Sequence, residues 1–217
     1  MIEKILPAAV VAVESFGDPV GAVLLPEEEP VIARAVDKRR REFTTVRHCA
    51  RQALATLGLP PAPILPGDKG APQWPDGVVG SMTHCAGYRA AVLAHAAEVI
   101  TVGIDAEPHE PLPEGVLDVV SLPGERTRLA QLAVTHGAVH WEKLLFAAKE
   151  SVYKAWFPLT HKWLGFSDAD ITLVPDGTFA ATLLVPGPIV AGVELRGFSG
   201  RWLVADGFVV AAIVITA

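Results

Sequence analysis

Apolar positions recur at helical spacing in two long stretches of this chain, and strand-like runs fill most of what remains. Across residues 31–57, Phe43, Val46, Ala50, Ala53 and Leu57 step by threes and fours into one apolar stripe, which predicts a helix. Gly58 and Pro60-Pro61 predict its end. A second helix is predicted over 139–157, with Trp141, Leu144, Leu145, Ala148, Val152, Ala155 and Trp156 on one side. Its other side, Lys143, Phe146, Lys149, Glu150, Tyr153 and Lys154, mixes aromatic rings with charge, unlike an ordinary solvated face.

Residues 5–13 read as a first strand made irregular by Pro7, and 88–96 and 98–105 as two strands joined by a short turn. Residues 60–80, rich in Pro and Gly, read as an ordered loop, and Pro108 to Pro113 interrupts regular structure. Over 171–217, short β-rich runs alternate with turns at Pro175-Asp176-Gly177, Pro186-Gly187-Pro188 and Asp206-Gly207, which predicts antiparallel hairpins closing an α+β lobe.

The length of 217 residues suits one compact unit or two lobes of about 100 residues each. With 51% hydrophobic and 19% charged residues the chain can bury a core and is not disordered. A formal charge of −6 argues against nucleic acid as a partner and confines any anion site to a local basic patch. The apolar run 208–217 is too short to span a membrane, and Glu3 and Glu14 flank the N-terminal apolar stretch, unlike a signal peptide. A soluble cytoplasmic protein is expected. Two cysteines, Cys49 and Cys85, make no disulfide framework. Each follows a histidine, but without C-x-x-C spacing a zinc site is disfavoured.

Three constellations carry candidate chemistry. Asp105 and Glu107 end a predicted strand and project to one face, where two close carboxylates call for a cation or a proton between them. Hard oxygen ligands suit Mg²⁺, although two solvated acids at a strand end look the same in sequence. Glu150 and Lys154 stand at i, i+4, the spacing of an ordinary surface ion pair, but beside Phe146 and Tyr153. Arg39, Arg40, Arg41, Arg47 and Arg51 share the first helix; with Lys69 and His84 they could hold phosphate, or simply line a solvated face.

Together these segments resemble the surfactin-type (enterobactin-type) 4′-phosphopantetheinyl transferases. Arg39-Arg40-Arg41-Glu42-Phe43 with Val46-Arg47-His48-Cys49-Ala50-Arg51 is similar to the family's arginine helix. Lys69-Gly70-Ala71-Pro72 with Gly80-Ser81-Met82-Thr83-His84-Cys85 is similar to its loop and histidine, and Val102-Gly103-Ile104-Asp105-Ala106-Glu107 to its metal motif. Trp141 through Phe146-Ala147-Ala148-Lys149-Glu150-Ser151-Val152-Tyr153-Lys154-Ala155-Trp156, followed by Trp163-Leu164-Gly165-Phe166, resembles its signature helix. The pattern departs at Pro66, where some close relatives carry a basic residue; the departure bears on one phosphate contact and not on the metal set.

The resemblance implies an α+β fold of two pseudo-symmetric α/β lobes, 1–102 and 103–217, with the active site between them. It implies transfer of the 4′-phosphopantetheine arm of coenzyme A to a serine of apo acyl or peptidyl carrier proteins of fatty-acid, polyketide or non-ribosomal peptide synthases. Asp105, Glu107 and Glu150 would bind Mg²⁺, or Mn²⁺ in its place. Arg39 and Arg47 would hold the 3′-phosphate, His84 a pyrophosphate oxygen, and Lys69 with Gly70 the adenine end. Ser81 and Lys149 join the coenzyme-binding set, and Tyr153, Phe146 and Trp163 flank the pantetheine arm. Glu150 would be the base, directly or through a water, with Lys154 neutralising the leaving oxygen and Asp105 completing the catalytic group. A monomer is expected. Two rivals remain open: a Mg²⁺-dependent nucleotide phosphodiesterase, and a coenzyme A-binding module without transfer.

Overall fold

The computed structural model describes residues 1–217. The chain packs as two units, Met1–Val102 with Ile215–Ala217, and Gly103–Val214. The structure is α+β, as expected.

In the first unit, β1 (Val11–Ser15), α1 (Asp37–Thr56), β2 (Val78–Cys85) and β3 (Tyr88–His95) follow one another. The strands form an antiparallel sheet in the order β1-β3-β2, with Val11 opposite Leu93 and Ser81 opposite Val92. The α1 stripe covers this sheet: Cys49, Ala50, Ala53 and Leu54 are buried against Ile64, Ala91 and Leu93. The helix begins at Asp37 rather than near residue 31, because Glu29–Ile32 forms a separate 3-10 turn and Val36 is extended. At its other end Leu59 N–H donates to Leu54 O and Gly58 N–H to Ala55 O, with Gly58 at φ +76. That is the Schellman closure a glycine at this point predicts.

Two strand expectations shift. Residues 2–5 form a 3-10 turn and the strand starts only at Val11, consistent with Pro7 offering no amide to a ladder. β2 begins inside the predicted loop. Its burial alternates, with Ser81, Thr83 and Cys85 buried and Met82 and His84 partly exposed.

β4 (Val99–Pro108) starts in the first unit and runs on from Gly103 into the second, where α2 (Val116–Val120), α3 (Pro123–Thr135) and α4 (Trp141–Thr160) follow. Then come β5 (Ala169–Val174), β6 (Thr178–Leu183), the two-residue strands β7 (Ile189–Val190) and β8 (Val193–Glu194), β9 (Gly197–Ala205) and β10 (Phe208–Thr216). The main sheet runs β4-β10-β9-β6-β5, and its β5–β6, β6–β9 and β9–β10 pairs are antiparallel, as the tail predicts. Asp206 and Gly207 both have positive φ, the I′ geometry that joins β9 to β10. β3 and β4 are joined by the expected short turn but belong to different sheets. No helix is long and apolar enough to cross a membrane.

Candidate active site

The arginines of α1 meet acidic partners within their own unit. Arg51 donates to both carboxylate oxygens of Glu28 at 2.9 and 3.0 Å, Arg40 pairs with Glu29, and Arg41 lies 3.4 Å from Asp18. Glu28 is fully buried and also accepts the amide of Ile64 at 2.8 Å. Arg47, expected to face a phosphate, is instead 5% exposed. Its Nε donates to Ile64 O at 2.8 Å, Glu28 lies 3.9 Å away, and its guanidinium stacks 3.1 Å from the Phe43 ring centroid. Burial pulls the Arg47 guanidinium down to about 10, Glu28 opposing and the Arg39 and Arg51 charges adding. It stays charged at neutral pH, as an internal prop of the basic patch.

Arg39 is the outward member. Its Nη1 lies 2.6 Å from His84 Nε2, and His84 Nδ1 lies 3.6 Å from the buried carboxylate of Glu42. The alternation of β2 leaves His84 partly exposed, on the same side of the strand as Met82, while Ser81 is buried on the opposite side. Lys69 and Gly70 are exposed on a tight turn, with φ of 54 and 79 and Gly67 N–H donating to Ala71 O at 2.7 Å.

In the second unit, β4 and α4 approach closely because residue 103 is glycine. A Cβ there would stand 2.1 Å from Ser151 O and 2.6 Å from Ala155 N. This contact sets Asp105 and Glu107 of β4 beside Glu150 and Lys154 of α4. Lys154 Nζ donates to Asp105 Oδ1 at 2.7 Å and to Ile104 O at 3.0 Å. Burial, then the Asp105 charge, push the Glu107 carboxyl up to about 7, with Lys143 and Lys154 opposing. The same two causes raise Glu150. Two carboxyls raised by burial and by a neighbouring carboxylate are short of positive charge, and such oxygens are the donors a hard divalent cation prefers. The donor chemistry therefore fits Mg²⁺, although the three side chains are not gathered into one ligating cluster.

Beside Glu150 opens a cavity of ≈ 90 Å³ lined by Tyr153, Trp163, Leu164, Gly165 and Phe166. The Tyr153 and Trp163 rings are 5.1 Å apart, those of Phe146 and Phe166 6.0 Å. Tyr153 Oη is buried without a hydrogen-bond partner. Trp163 is 67% exposed.

Lys149, expected among the coenzyme-binding side chains, also borders this cavity, but its ammonium is turned inward. It pairs with buried Glu125 at 2.9 Å and donates to Phe166 O at 2.5 Å and Ala169 O at 3.0 Å. Burial draws Lys149 below the usual lysine range in spite of Glu125. Its place is structural, tying α4 to the segment that carries Phe166. The sequence reading did not single out Glu28 or Glu125, and it gave no role to Glu42 or Lys143, which it met only within their helices. All four are buried charged groups next to the expected ones, and spacing along one element gives no signal for a partner on another.

The structure thus brings together Arg39 with His84, and Asp105 with Lys154 next to Glu107 and Glu150. It sets Tyr153 against Trp163, and it withdraws Arg47 and Lys149 into the interior. The family model for the 4′-phosphopantetheinyl transferase N-terminal domain matches residues 27–94, and that for the 4′-phosphopantetheinyl transferase superfamily matches residues 101–211. The chain is 57% identical over 222 residues to 4′-phosphopantetheinyl transferase Svp of Streptomyces mobaraensis, covering 100% of this chain and 90% of Svp. It is 54% identical over 224 residues to 4′-phosphopantetheinyl transferase PptT of Mycobacterium tuberculosis, covering 99% and 98%. Enterobactin synthase component D of Salmonella typhimurium is 31% identical over 176 residues, 80% of this chain and 70% of that protein.

Proposed function

The chain belongs to the 4′-phosphopantetheinyl transferase superfamily and modifies carrier proteins with the phosphopantetheine arm of coenzyme A, and we propose that the residues described above divide that task as follows. Arg39 and His84 meet the anionic end of coenzyme A, with the buried charge of Arg47 behind them and Lys69 and Gly70 at the adenine end. Tyr153 and Trp163 flank the pantetheine arm at the cavity beside Glu150. Asp105, Glu107 and Glu150 hold Mg²⁺, which when bound supplies a Lewis acid on the pyrophosphate oxygens.

The observation that carries this reading is the crowding of carboxylates around Asp105. Burial first, and then the Asp105 charge, leave Glu150 with a raised carboxyl, hence a better proton acceptor at neutral pH than a solvated glutamate. In the proposed reaction a carrier serine oxygen bonds to the pantetheine-side phosphorus and gives its proton to Glu150. The bond from that phosphorus to the bridging oxygen breaks, releasing adenosine 3′,5′-bisphosphate. Lys154, held by Asp105 and Ile104 O, offers positive charge to the departing oxygen. Little covalent chemistry falls to the protein, so positioning and charge dominate. The carriers are those of fatty-acid, polyketide or non-ribosomal peptide synthases, in line with the enterobactin synthase relative.

Intact-mass spectrometry of apo carrier proteins incubated with this chain, coenzyme A and Mg²⁺ tests the proposal. The expected result is a gain of one phosphopantetheinyl group, lost on chelation. Coenzyme A binding without any gain across the three carrier classes would favour a module that binds but does not transfer.

A further inference from the structure

A guanidinium can only donate hydrogen bonds. With Arg39 Nη1 at 2.6 Å, His84 Nε2 must therefore present its lone pair, and the ring proton sits on Nδ1. That nitrogen faces Glu42 Oε2 at 3.6 Å, and Glu42 is only 7% exposed. The ring is thus in the form least suited to an anion, since its accessible nitrogen is an acceptor. For His84 to donate to a phosphate oxygen, Nε2 must gain a proton. Gaining it ejects Arg39, which is then free to donate to the same anion, while Glu42 lies against the other end of the new imidazolium.

The charged surroundings favour this change of state. From α1, Lys38 lies 4.0 Å from Glu42 Oε1, and Arg39 is the displaced cation. From β3, Arg89 stands opposite His84 but is committed to Asp18 at 3.2 Å and to Cys85 O at 3.0 Å. Asp18 also faces Arg41, and Arg47 is occupied by Ile64 O and Glu28. Glu42 is the carboxylate directed at the ring.

We propose that this patch captures phosphate with uptake of a proton: His84 takes one from water at Nε2 and releases Arg39, and both donate to the anion. Glu42 acts through His84 as a positioning residue. The proposal rests on the assignment of Arg39 and His84 to the anionic end of coenzyme A.

The test is calorimetric titration of the whole chain with adenosine 3′,5′-bisphosphate at about pH 8, in two buffers of different ionisation enthalpy. At that pH a free imidazole is neutral and a phosphomonoester, with its second pKa near ~6, is already a dianion. The buffer dependence of the binding enthalpy then counts protons taken up by the protein. Uptake of roughly half to one proton is expected, with affinity rising about tenfold per pH unit lost while uptake is complete. His84→Asn should bind without uptake, and Glu42→Gln should reduce uptake at least about twofold.

Binding by the wild type without uptake, or uptake that persists in His84→Asn, would overturn the proposal. Absence of nucleotide binding would overturn it too, by placing the anion elsewhere. If Glu42→Gln does not fold, the wild type and His84→Asn decide. A carrier still modified in the mass assay leaves the transfer reading standing when proton uptake fails. Uptake without carrier modification sinks only that reading.

Discussion

Replacing Lys149 by Met separates an internal from a ligand-facing role for this lysine. Met has nearly the same length, so packing is largely kept and the loss is electrostatic. The ammonium, 3% exposed, gives up contacts to Glu125 at 2.9 Å, Phe166 O at 2.5 Å and Ala169 O at 3.0 Å. Breaking a buried pair from one side costs about 3–5 kcal/mol. The lower end applies here, because Glu125 keeps two amides, Leu122 N–H at 2.6 Å and Ile171 N–H at 2.7 Å. A stranded buried carboxylate can also escape by taking a proton, which costs a glutamate about 3.7 kcal/mol at pH 7 and less in acid. A loss of about 3 kcal/mol corresponds to roughly 6–12 °C in Tm for a chain of this size. Urea and thermal unfolding followed by circular dichroism measure it, at pH 7 and pH 5, with the smaller loss expected at pH 5. A loss under about 1 kcal/mol together with failure to bind coenzyme A would refute the structural assignment. It would return Lys149 to the ligand.

Glu150→Gln should abolish carrier modification in the mass assay while leaving coenzyme A affinity, measured by calorimetry without Mg²⁺, within about threefold, since it removes a base and a metal ligand but no phosphate donor. Gly103→Ala should destabilise by at least about 1–3 kcal/mol in urea, because its Cβ meets backbone of α4 rather than a movable side chain. The raised Glu107 carboxyl favours the protonated folded form, so its contribution to stability is fullest below the ordinary glutamate range and is lost as pH rises through about 7. Metal-free Tm should therefore fall over that interval. Mg²⁺ should raise Tm more at pH 8 than at pH 6, and equal Mg²⁺ effects at both would count against carboxylate ligation. Arg39→Ala should raise KM for coenzyme A but not for dephospho-coenzyme A with unchanged Tm, whereas Arg47→Met should lower Tm by leaving Glu28 with one arginine.

What the sequence made legible was governed by period. The stripes of α1 and α4 and the turn residues of the β9–β10 hairpin are local patterns, and the structure follows them. α3 left no such mark, because its buried residues are Glu125 and Leu129, one of them a carboxylate serving another element. β2 hid inside a Pro- and Gly-rich stretch, where Gly80 lets Leu93 and Trp74 approach its backbone. Within the candidate site, motif spacing marked the titratable groups but not their orientation. Arg39 and Arg47 are two turns apart on one helix, yet one reaches solvent and His84 while the other is held by Ile64 O and Glu28. Which of them turned inward depended on a glutamate from outside the helix.

The exposure of Trp163 makes the cavity readable by light. Of the five tryptophans, Trp141, Trp156 and Trp202 are buried and Trp74 is partly covered, so the long-wavelength, iodide-quenchable part of the emission belongs to Trp163. A chain settling in the cavity against its indole and the Tyr153 ring would exclude water from that indole alone. Occupancy of the cavity is then written in a blue shift and a loss of quenching, in unlabelled protein and in real time.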